Sequence, residues 1–105
     1  MTVYNLEKLF NDLLKRQNSG KHISYTSTLL EDKNLLARKI GEETIEIILE
    51  YLSNNKNNLV KESADLLYHL SVMWISANIN PNDVWNELYK RKGKSGIDEK
   101  KSRLT

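Results

Sequence analysis

Two groups of acidic side chains at helical spacing are the part of this sequence best suited to chemistry. Glu43 and Glu46 lie three residues apart, and Glu62 and Asp65 repeat that spacing sixteen residues further on. Residues three apart share one face of a helix, so each pair predicts a claw of two carboxylates. Two claws on neighbouring helices would form a cage of oxygen ligands, which repels itself unless a cation lies inside. We therefore predict a magnesium site.

The competing interpretation is an ordinary solvated helix surface. It suits the first acidic group best, because Glu42 and Glu50 extend that group around the helix. It is weaker for Glu62 and Asp65, whose helix is mostly apolar and has no Lys or Arg between Glu62 and Lys90. An ionised carboxylate on a buried helix is costly unless a countercharge compensates it. The two groups together favour a metal site, while a solvated surface stays open for the first group alone.

The ligand types restrict which metal fits. The chain has no Cys and two His, and an oxygen-rich set suits magnesium, with manganese as the alternative, rather than zinc or copper. Neither His22 nor His69 follows a Glu by three residues, which excludes the Glu-x-x-His pattern of di-iron bundles. His69 continues the face of Glu62 and Asp65, and we interpret it as a core residue or one that orients a ligand.

Basic residues offer a second kind of chemistry, the binding of phosphate. Seven Lys or Arg lie between Lys90 and Arg103, although this tail lacks the full P-loop pattern and a frayed, solvated terminus is the alternative. Arg38 and Lys39, just before the first acidic group, are either anion contacts or surface charge. The phosphate candidates in the tail are Lys92, Lys94, Arg103 and the backbone of Gly93-Lys94-Ser95-Gly96.

The elements that must position these side chains are predicted to be helices. The chain of 105 residues has one Pro and four Gly, which predicts one all-α domain, 1–105, with a basic tail from about 93. We expect a small bundle of about four helices, spanning approximately 2–16, 33–52, 58–78 and 81–92, the last capped by Asn80. Residues 21–28 are predicted as a loop that leads through a Thr26 or Ser27 cap into a short turn.

Apolar surface and one glycine predict how the helices pack. The third predicted helix is apolar almost all round, which requires burial on nearly every side. Gly41 lies in the middle of the second helix, where Gly costs about 1 kcal/mol relative to Ala, so we expect a backbone or ligand to pass close to it. Because the two helices carry more apolar surface than one small chain can cover, we predict a homodimer.

Charge and hydropathy exclude several classes of function. The formal net charge of +2 and the acidic middle of the chain disfavour nucleic acid as a partner. No apolar run approaches the roughly 18 residues that cross a bilayer, so we expect no membrane contact and a cytoplasmic location. With no Cys and no Ser-His-Asp arrangement, nucleophilic catalysis by a side chain is not expected.

The order of these acids resembles a known signature. Glu42-Glu43-x-x-Glu46, a gap of fifteen residues and Glu62-x-x-Asp65 resemble the motif of the all-α nucleoside triphosphate pyrophosphatases of the MazG-like superfamily. Within it the chain is similar to the phosphoribosyl-ATP pyrophosphatase family over about residues 24–103. The narrower resemblance rests on Ser24-Tyr25-Thr26, Lys39-Ile40-Gly41-Glu42-Glu43, Ala64-Asp65-Leu66-Leu67-Tyr68-His69-Leu70, Lys90-Arg91-Lys92-Gly93-Lys94-Ser95-Gly96, Glu99-Lys100 and Arg103.

This resemblance implies a reaction and a site. The reaction is magnesium-dependent hydrolysis of the α–β phosphoanhydride of phosphoribosyl-ATP, the second step of histidine biosynthesis, carried out by a homodimer. The implied metal ligands are Glu43, Glu46, Glu62 and Asp65, with Glu42 as a further ligand or an orienter of water. The implied substrate-binding residues are Ser24, Tyr25, Thr26, Arg38, Lys39, Lys92, Lys94, Ser95 and Arg103.

Two other functions stay open. A house-cleaning pyrophosphatase for non-standard nucleoside triphosphates would keep the acidic cage but would need neither the Ser-Tyr-Thr segment nor the basic tail. A non-enzymatic helical interaction module would not depend on the carboxylates at all, so replacing Glu62 or Asp65 would leave its function intact.

Overall fold

Helices account for all regular structure in the described part of the chain. The computed structural model describes residues 3–19, 24–93 and 96–104, and it contains no strand there. The helices are α1 (Leu6–Ser19), α2 (Tyr25–Glu31), α3 (Lys33–Leu52), α4 (Lys56–Ser76), α5 (Pro81–Lys90) and α6 (Gly96–Leu104). The all-α prediction is confirmed, and α2 and α6 are additional to the four helices expected. Among the described residues, no helix combines the length and apolar character that a membrane span requires.

The two longest helices, α3 and α4, form an antiparallel hairpin. The bounds of α3 agree with the prediction, whereas α4 begins and ends two residues earlier than expected. Asn54 takes a positive φ of 60°, and the N–H of Asn55 donates to the Glu50 carbonyl at 3.0 Å, which closes α3. The Asn55 side chain then accepts the N–H of Asn58 and caps α4. This short turn fixes α3 and α4 as neighbours.

The core lies at one end of this hairpin, where α1 and α2 cover it. We call this region, the first half of α3 and the second half of α4, the core end. Its apolar side chains interdigitate with those of α1 and α2, so that helix packing rather than helix propensity stabilises the region. The buried apolar residues are Phe10, Leu13, Leu29, Leu36, Val72, Trp74 and Ile75.

The opposite region of the hairpin, the second half of α3 and the first half of α4, is the open end. The burial predicted for nearly every side of α4 is not reached within one chain here, since Val60 is 69% exposed. No other described helix covers this region to the extent that α1 and α2 cover the core end. The exposed apolar side chains of the open end are Ile45, Ile48, Leu49, Tyr51, Leu52, Val60 and Leu67.

Gly41 lies on the same outer face of α3 as part of that apolar surface. Ile45, Ile48 and Leu52 follow it at four, seven and eleven residues, which places all four positions on one side of the helix. A Cβ added at Gly41 would meet no described atom within 4 Å. The neighbour expected from the sequence is therefore not found within the described part of this chain.

Helix α2 corrects the prediction of a loop at 21–28. The chain is helical from Tyr25 onward, and the cap is Ser24 rather than Thr26 or Ser27. The N–H of Ser27 donates to the Ser24 hydroxyl at 3.1 Å, and the N–H of Ser24 donates to the Ser27 hydroxyl at 2.9 Å. This capping box uses Ser where Glu or Gln is usual, which explains why the helix start was missed. Residues 21–23 lie outside the described residues.

The C-terminal region contains one confirmed and one corrected prediction. Asn80 caps α5 as expected, with Pro81 at the first position and the Asp83 carboxylate accepting the Asn80 N–H at 3.0 Å. No helix was predicted in the basic tail, yet Gly96–Leu104 forms α6. The side chains of α6 that the structure describes are exposed, so this helix contributes little to the core.

Candidate metal centre

Four carboxylates meet between α3 and α4, at the boundary of the core end and the open end. One carboxylate oxygen from each of Glu43, Glu62 and Asp65 lies within 4.8 Å of the other two. The Glu46 side chain lies within hydrogen-bonding reach of Glu62. The hairpin therefore brings the two predicted claws face to face.

Burial and the crowding of negative charge change how Glu43 and Glu62 ionise. A hydrogen bond shared with Glu46, together with the charges of the neighbouring acids, raises the pKa of Glu62 to about 7. Burial raises the pKa of Glu43 above its ordinary value, and the nearby charge of Asp65 adds to that effect. Both shifts have the same physical meaning, since each opposes a further negative charge in the cluster. A cation would relieve this repulsion.

Glu43 is the most deeply buried of the four acids, with only 8% of its surface exposed. Its Oε1 lies 3.0 Å from Nδ1 of His69. Its Oε2 is buried and has no hydrogen-bond partner among the described residues. A buried oxygen without a partner costs about 1–3 kcal/mol, and more when it is charged. This oxygen, in a set of carboxylates only, fits a hard cation such as magnesium or manganese.

An aromatic cluster connects the first turn of α2 to the acids. It consists of Tyr25, Tyr68 and His69, with the two Tyr rings stacked at a centroid distance of 6.0 Å and the His ring edge-on to both. The Tyr25 hydroxyl lies 2.8 Å from Nε2 of His69, and the Thr26 hydroxyl bonds to the Tyr68 hydroxyl. Two side-chain hydrogen bonds thus attach α2 to α4 beside Glu43.

Comparison with known proteins decides which family carries this arrangement. The family model described as phosphoribosyl-ATP pyrophosphohydrolase matches residues 3–92, a stretch that contains all four acids and the aromatic cluster. The chain belongs to this family.

Several curated relatives in the phosphoribosyl-ATP pyrophosphohydrolase family bear the name phosphoribosyl-ATP pyrophosphatase. The protein of Paramagnetospirillum magneticum is 46% identical over 99 residues, which cover 93% of this chain and 91% of the relative. That of Gluconobacter oxydans is 41% identical over 99 residues, covering 93% of this chain and 74% of the relative. That of Azospirillum brasilense is 39% identical over 99 residues, covering 93% and 89%.

Glu42 lies apart from the four acids expected to bind metal in this phosphoribosyl-ATP pyrophosphohydrolase family member. Its exposed carboxylate pairs with Lys39 across one turn of α3, at an N–O distance of 3.6 Å. Arg38, the residue before Lys39, is also exposed on α3. The predicted site residues of α3 thus divide into a cluster that faces α4 and a more exposed group of opposite charges.

The Ser-Tyr-Thr segment is held in place by the fold. The Ser24 hydroxyl caps α2, and Thr26 is only 2% exposed with its hydroxyl bonded to Tyr68. Tyr25 is 49% exposed, so part of its ring faces solvent while its hydroxyl contacts His69. The segment therefore has structural contacts that its resemblance to a substrate-binding motif did not reveal.

The basic candidates at the C-terminus lie on or next to separate short helices. Lys92 follows α5, with its Nζ 5.9 Å from the centroid of the Tyr89 ring. Arg103 lies on α6 with an exposed side chain. Lys94 and Ser95 lie outside the described residues. The family match ends at residue 92, so it covers Lys92 and none of the other three.

The contact between His69 and Glu43 is the part of the site that sequence reasoning missed. The pattern placed His69 one turn after Asp65 on the face of the acids, and this position is correct. What it lacked was the register of α3 against α4, which no spacing within a single helix contains. Tyr68 was missed for the same reason, since its partner Thr26 is 42 residues away in the chain.

Proposed function

We propose that this protein hydrolyses the α–β phosphoanhydride of phosphoribosyl-ATP to phosphoribosyl-AMP and pyrophosphate, the second step of histidine biosynthesis, in the cytoplasm. The observation that carries the proposal is the cage of Glu43, Glu62 and Asp65, whose oxygens lie within 4.8 Å of one another in a chain of this family. A polyphosphate is strongly anionic, so a carboxylate cage can act on it only with cations between them.

We assign Glu43, Glu46, Glu62 and Asp65 as the residues that would hold magnesium, or manganese in its place. When bound, the metal neutralises phosphate charge and lowers the pKa of a coordinated water. The buried Oε2 of Glu43 supports its role, because this oxygen has no other partner among the described residues. Glu42, which is exposed beside the cage, is proposed to orient the attacking water or to act as a further ligand.

Cations around the cage are proposed to bind the substrate. Arg38 and Lys39 lie on α3 close in sequence to the acids, where they can contact phosphate groups. Lys92, Lys94, Ser95 and Arg103 are proposed to contact the 5-phosphate or outer phosphates. The exposed part of the Tyr25 ring can contact the nucleotide, while Ser24 and Thr26 hold the turn that presents it.

We further propose that two copies of the chain associate through the open end. Its apolar side chains would lose contact with water in a dimer, at about 25 cal/mol for each Å² removed. Gly41 supports a helix-to-helix contact, because the absence of a Cβ there lets another backbone approach the outer face of α3. The spacing of Gly41, Ile45, Ile48 and Leu52 is that of a packed helical stripe.

A pyrophosphate-release assay tests the function. The wild type with magnesium should release pyrophosphate from phosphoribosyl-ATP and act poorly on ATP and other nucleoside triphosphates. Glu62→Gln and Asp65→Asn should each lower kcat by at least about 100-fold, because each removes a carboxylate that would hold the metal. Glu31→Gln makes the same chemical change at an exposed position on α2 and should leave the rate within about twofold.

The same assay separates the alternatives. Similar release from many triphosphates would contradict the assigned substrate and favour a house-cleaning pyrophosphatase. No release from any of them, together with a thermal stability that magnesium does not change, would favour an interaction module.

A further inference from the structure

A chain of contacts that runs from Tyr25 on α2 through the buried His69 to Glu43 assigns a role to two residues outside the carboxylate cage. We propose that Tyr25 and His69 are positioning residues, which hold the Glu43 carboxylate in the orientation that the metal centre requires. This inference rests on the proposed function, because the orientation matters only if the cage binds a cation.

The first step concerns the proton on His69. Its Nδ1 lies 2.9 Å from the carbonyl oxygen of Asp65 and 3.0 Å from Oε1 of Glu43. A carbonyl oxygen can only accept a hydrogen bond, so Nδ1 carries a hydrogen and is the donor. Nδ1 therefore lies close to two oxygens of the cage residues, the backbone carbonyl oxygen of Asp65 and the carboxylate Oε1 of Glu43.

The second step concerns what holds the ring. The Tyr25 hydroxyl lies 2.8 Å from Nε2 of His69, at the far side of the ring from Nδ1. With contacts at both nitrogens, the His69 ring cannot rotate without losing at least one hydrogen bond. Since His69 is buried, water cannot readily replace a lost partner. The Tyr25 hydroxyl therefore fixes the ring that faces Glu43.

The third step concerns Glu43 itself. With Oε1 engaged by His69, the buried Oε2 is the oxygen left without a partner in the described structure. A carboxylate that offers one defined oxygen loses less rotational freedom when it binds an ion than one that turns freely. Residues that hydrogen-bond to metal ligands have this effect in metal sites generally.

The fourth step explains how Tyr25, a residue of α2, comes to contact His69 on α4. The Ser24–Ser27 capping box fixes the first turn of α2, and the Thr26–Tyr68 hydrogen bond attaches that turn to α4. Tyr25 is placed between these two anchors. Its hydroxyl is thus directed at His69 by the fold, which is a role distinct from contact with substrate through the exposed part of its ring.

The binding of Mn²⁺ alone to the full chain, measured by calorimetry or electron paramagnetic resonance, tests the proposal without substrate. Tyr25→Phe should weaken binding by about 3- to 10-fold, the effect of one lost hydrogen bond. His69→Phe should weaken it by about 10- to 100-fold, as removal of a partner of a ligand does. The double variant should bind no more weakly than His69→Phe, because Tyr25 acts through His69.

A second readout excludes a merely structural effect. In Tyr25→Phe, the metal concentration that gives half-maximal pyrophosphate release should rise by the same factor as the Mn²⁺ dissociation constant measured without substrate. Circular dichroism confirms that the helices are retained, and Tyr25→Phe, which keeps the ring, is the variant on which the conclusion depends.

A matched control removes the same atom elsewhere. Tyr4→Phe deletes a hydroxyl that bonds to Asp12 on α1 and should change Mn²⁺ affinity by less than about twofold. Wild-type affinity in Tyr25→Phe, or equal weakening in Tyr4→Phe, would overturn the positioning role alone. Failure of the wild type to bind Mn²⁺ would overturn the metal centre and this inference together.

Discussion

The core end and the open end of the α3–α4 hairpin carry similar side chains in different surroundings. Leu36 at the core end is 2% exposed because α1 and α2 cover it, whereas Leu52 on the same helix is 70% exposed. The acidic cage lies at the boundary, with Glu43 buried and Asp65 exposed. An apolar helix face therefore predicts that some other element must pack against it, but the face itself does not indicate which element that is. Among the described residues, such an element is present at one end only.

The largest contrast should come from shortening one Leu at each end. Leu36→Ala should lower the free energy of unfolding by about 2–5 kcal/mol, because it leaves a cavity among packed side chains. Leu49→Ala makes the same change at an exposed position and should cost less than about 0.5 kcal/mol when the chain is monomeric. Urea denaturation at low protein concentration measures both. Equal costs would mean that the two ends are equally covered.

The next largest effect should come from a charge placed on the open end. Ile48→Asp should weaken self-association by at least about 100-fold, since a carboxylate would be buried in the proposed apolar contact. Analytical ultracentrifugation over a range of concentrations measures the dissociation constant. Leu88→Asp is the control, because it places the same charge at an exposed Leu on α5, outside the hairpin. A wild type that stays monomeric at all concentrations would refute the dimer.

At Gly41, a substitution is expected to have two smaller effects of opposite sign, one on stability and one on association. Gly41→Ala should stabilise the isolated chain by about 0.5–1 kcal/mol, because Ala favours helix and its Cβ meets no described atom. In the dimer the same Cβ should weaken association, because a closely packed partner helix must move away. Gly93→Ala is the opposite control, since Gly93 has a φ of +84° and Ala is strained there. Stabilisation with unchanged association would show that no backbone approaches Gly41.

The smallest effect should be a pH dependence at the boundary of the two ends. The pKa of Glu62 is about 7 in the folded chain against an ordinary 4.5, so the folded state binds the proton more tightly than the unfolded state. Without metal, this contribution to stability is full below about pH 4.5 and is lost as pH rises towards 7. The melting temperature of metal-free protein should fall over that range relative to Glu62→Gln, which lacks the titrating group. If the melting temperatures of the two proteins changed with pH in parallel, the raised pKa of Glu62 would be contradicted.

Local signals explain the parts of the fold that the sequence predicted. The bounds of α3, the pairing of acids on each helix and the Asn80 cap of α5 depend on residues within one or two turns of each other. The start of α2 was also encoded locally, but Ser27 in the capping box replaces the usual Glu or Gln.

The features that were not predicted from the sequence depend on contacts between residues that lie far apart in the chain. Whether α4 is buried depends on where α1 and α2 end, and the link from Tyr25 to His69 joins residues 44 apart. Which acids approach each other could be predicted because the turn between α3 and α4 is short. Which other groups hold those acids depends on the packing of α2, for which the sequence contains no comparable local signal.

The short turn at Asn54 also bears on how quickly the site can form. All four acids of the cage come from a single hairpin, and the chain between Glu46 and Glu62 is closed by one compact turn. Closing a short loop costs little entropy, and folds rich in contacts between nearby residues tend to fold fast. The contacts that form the cage are therefore local to the α3–α4 pair, whereas the Tyr25–His69 contact also requires α2 to dock on α4.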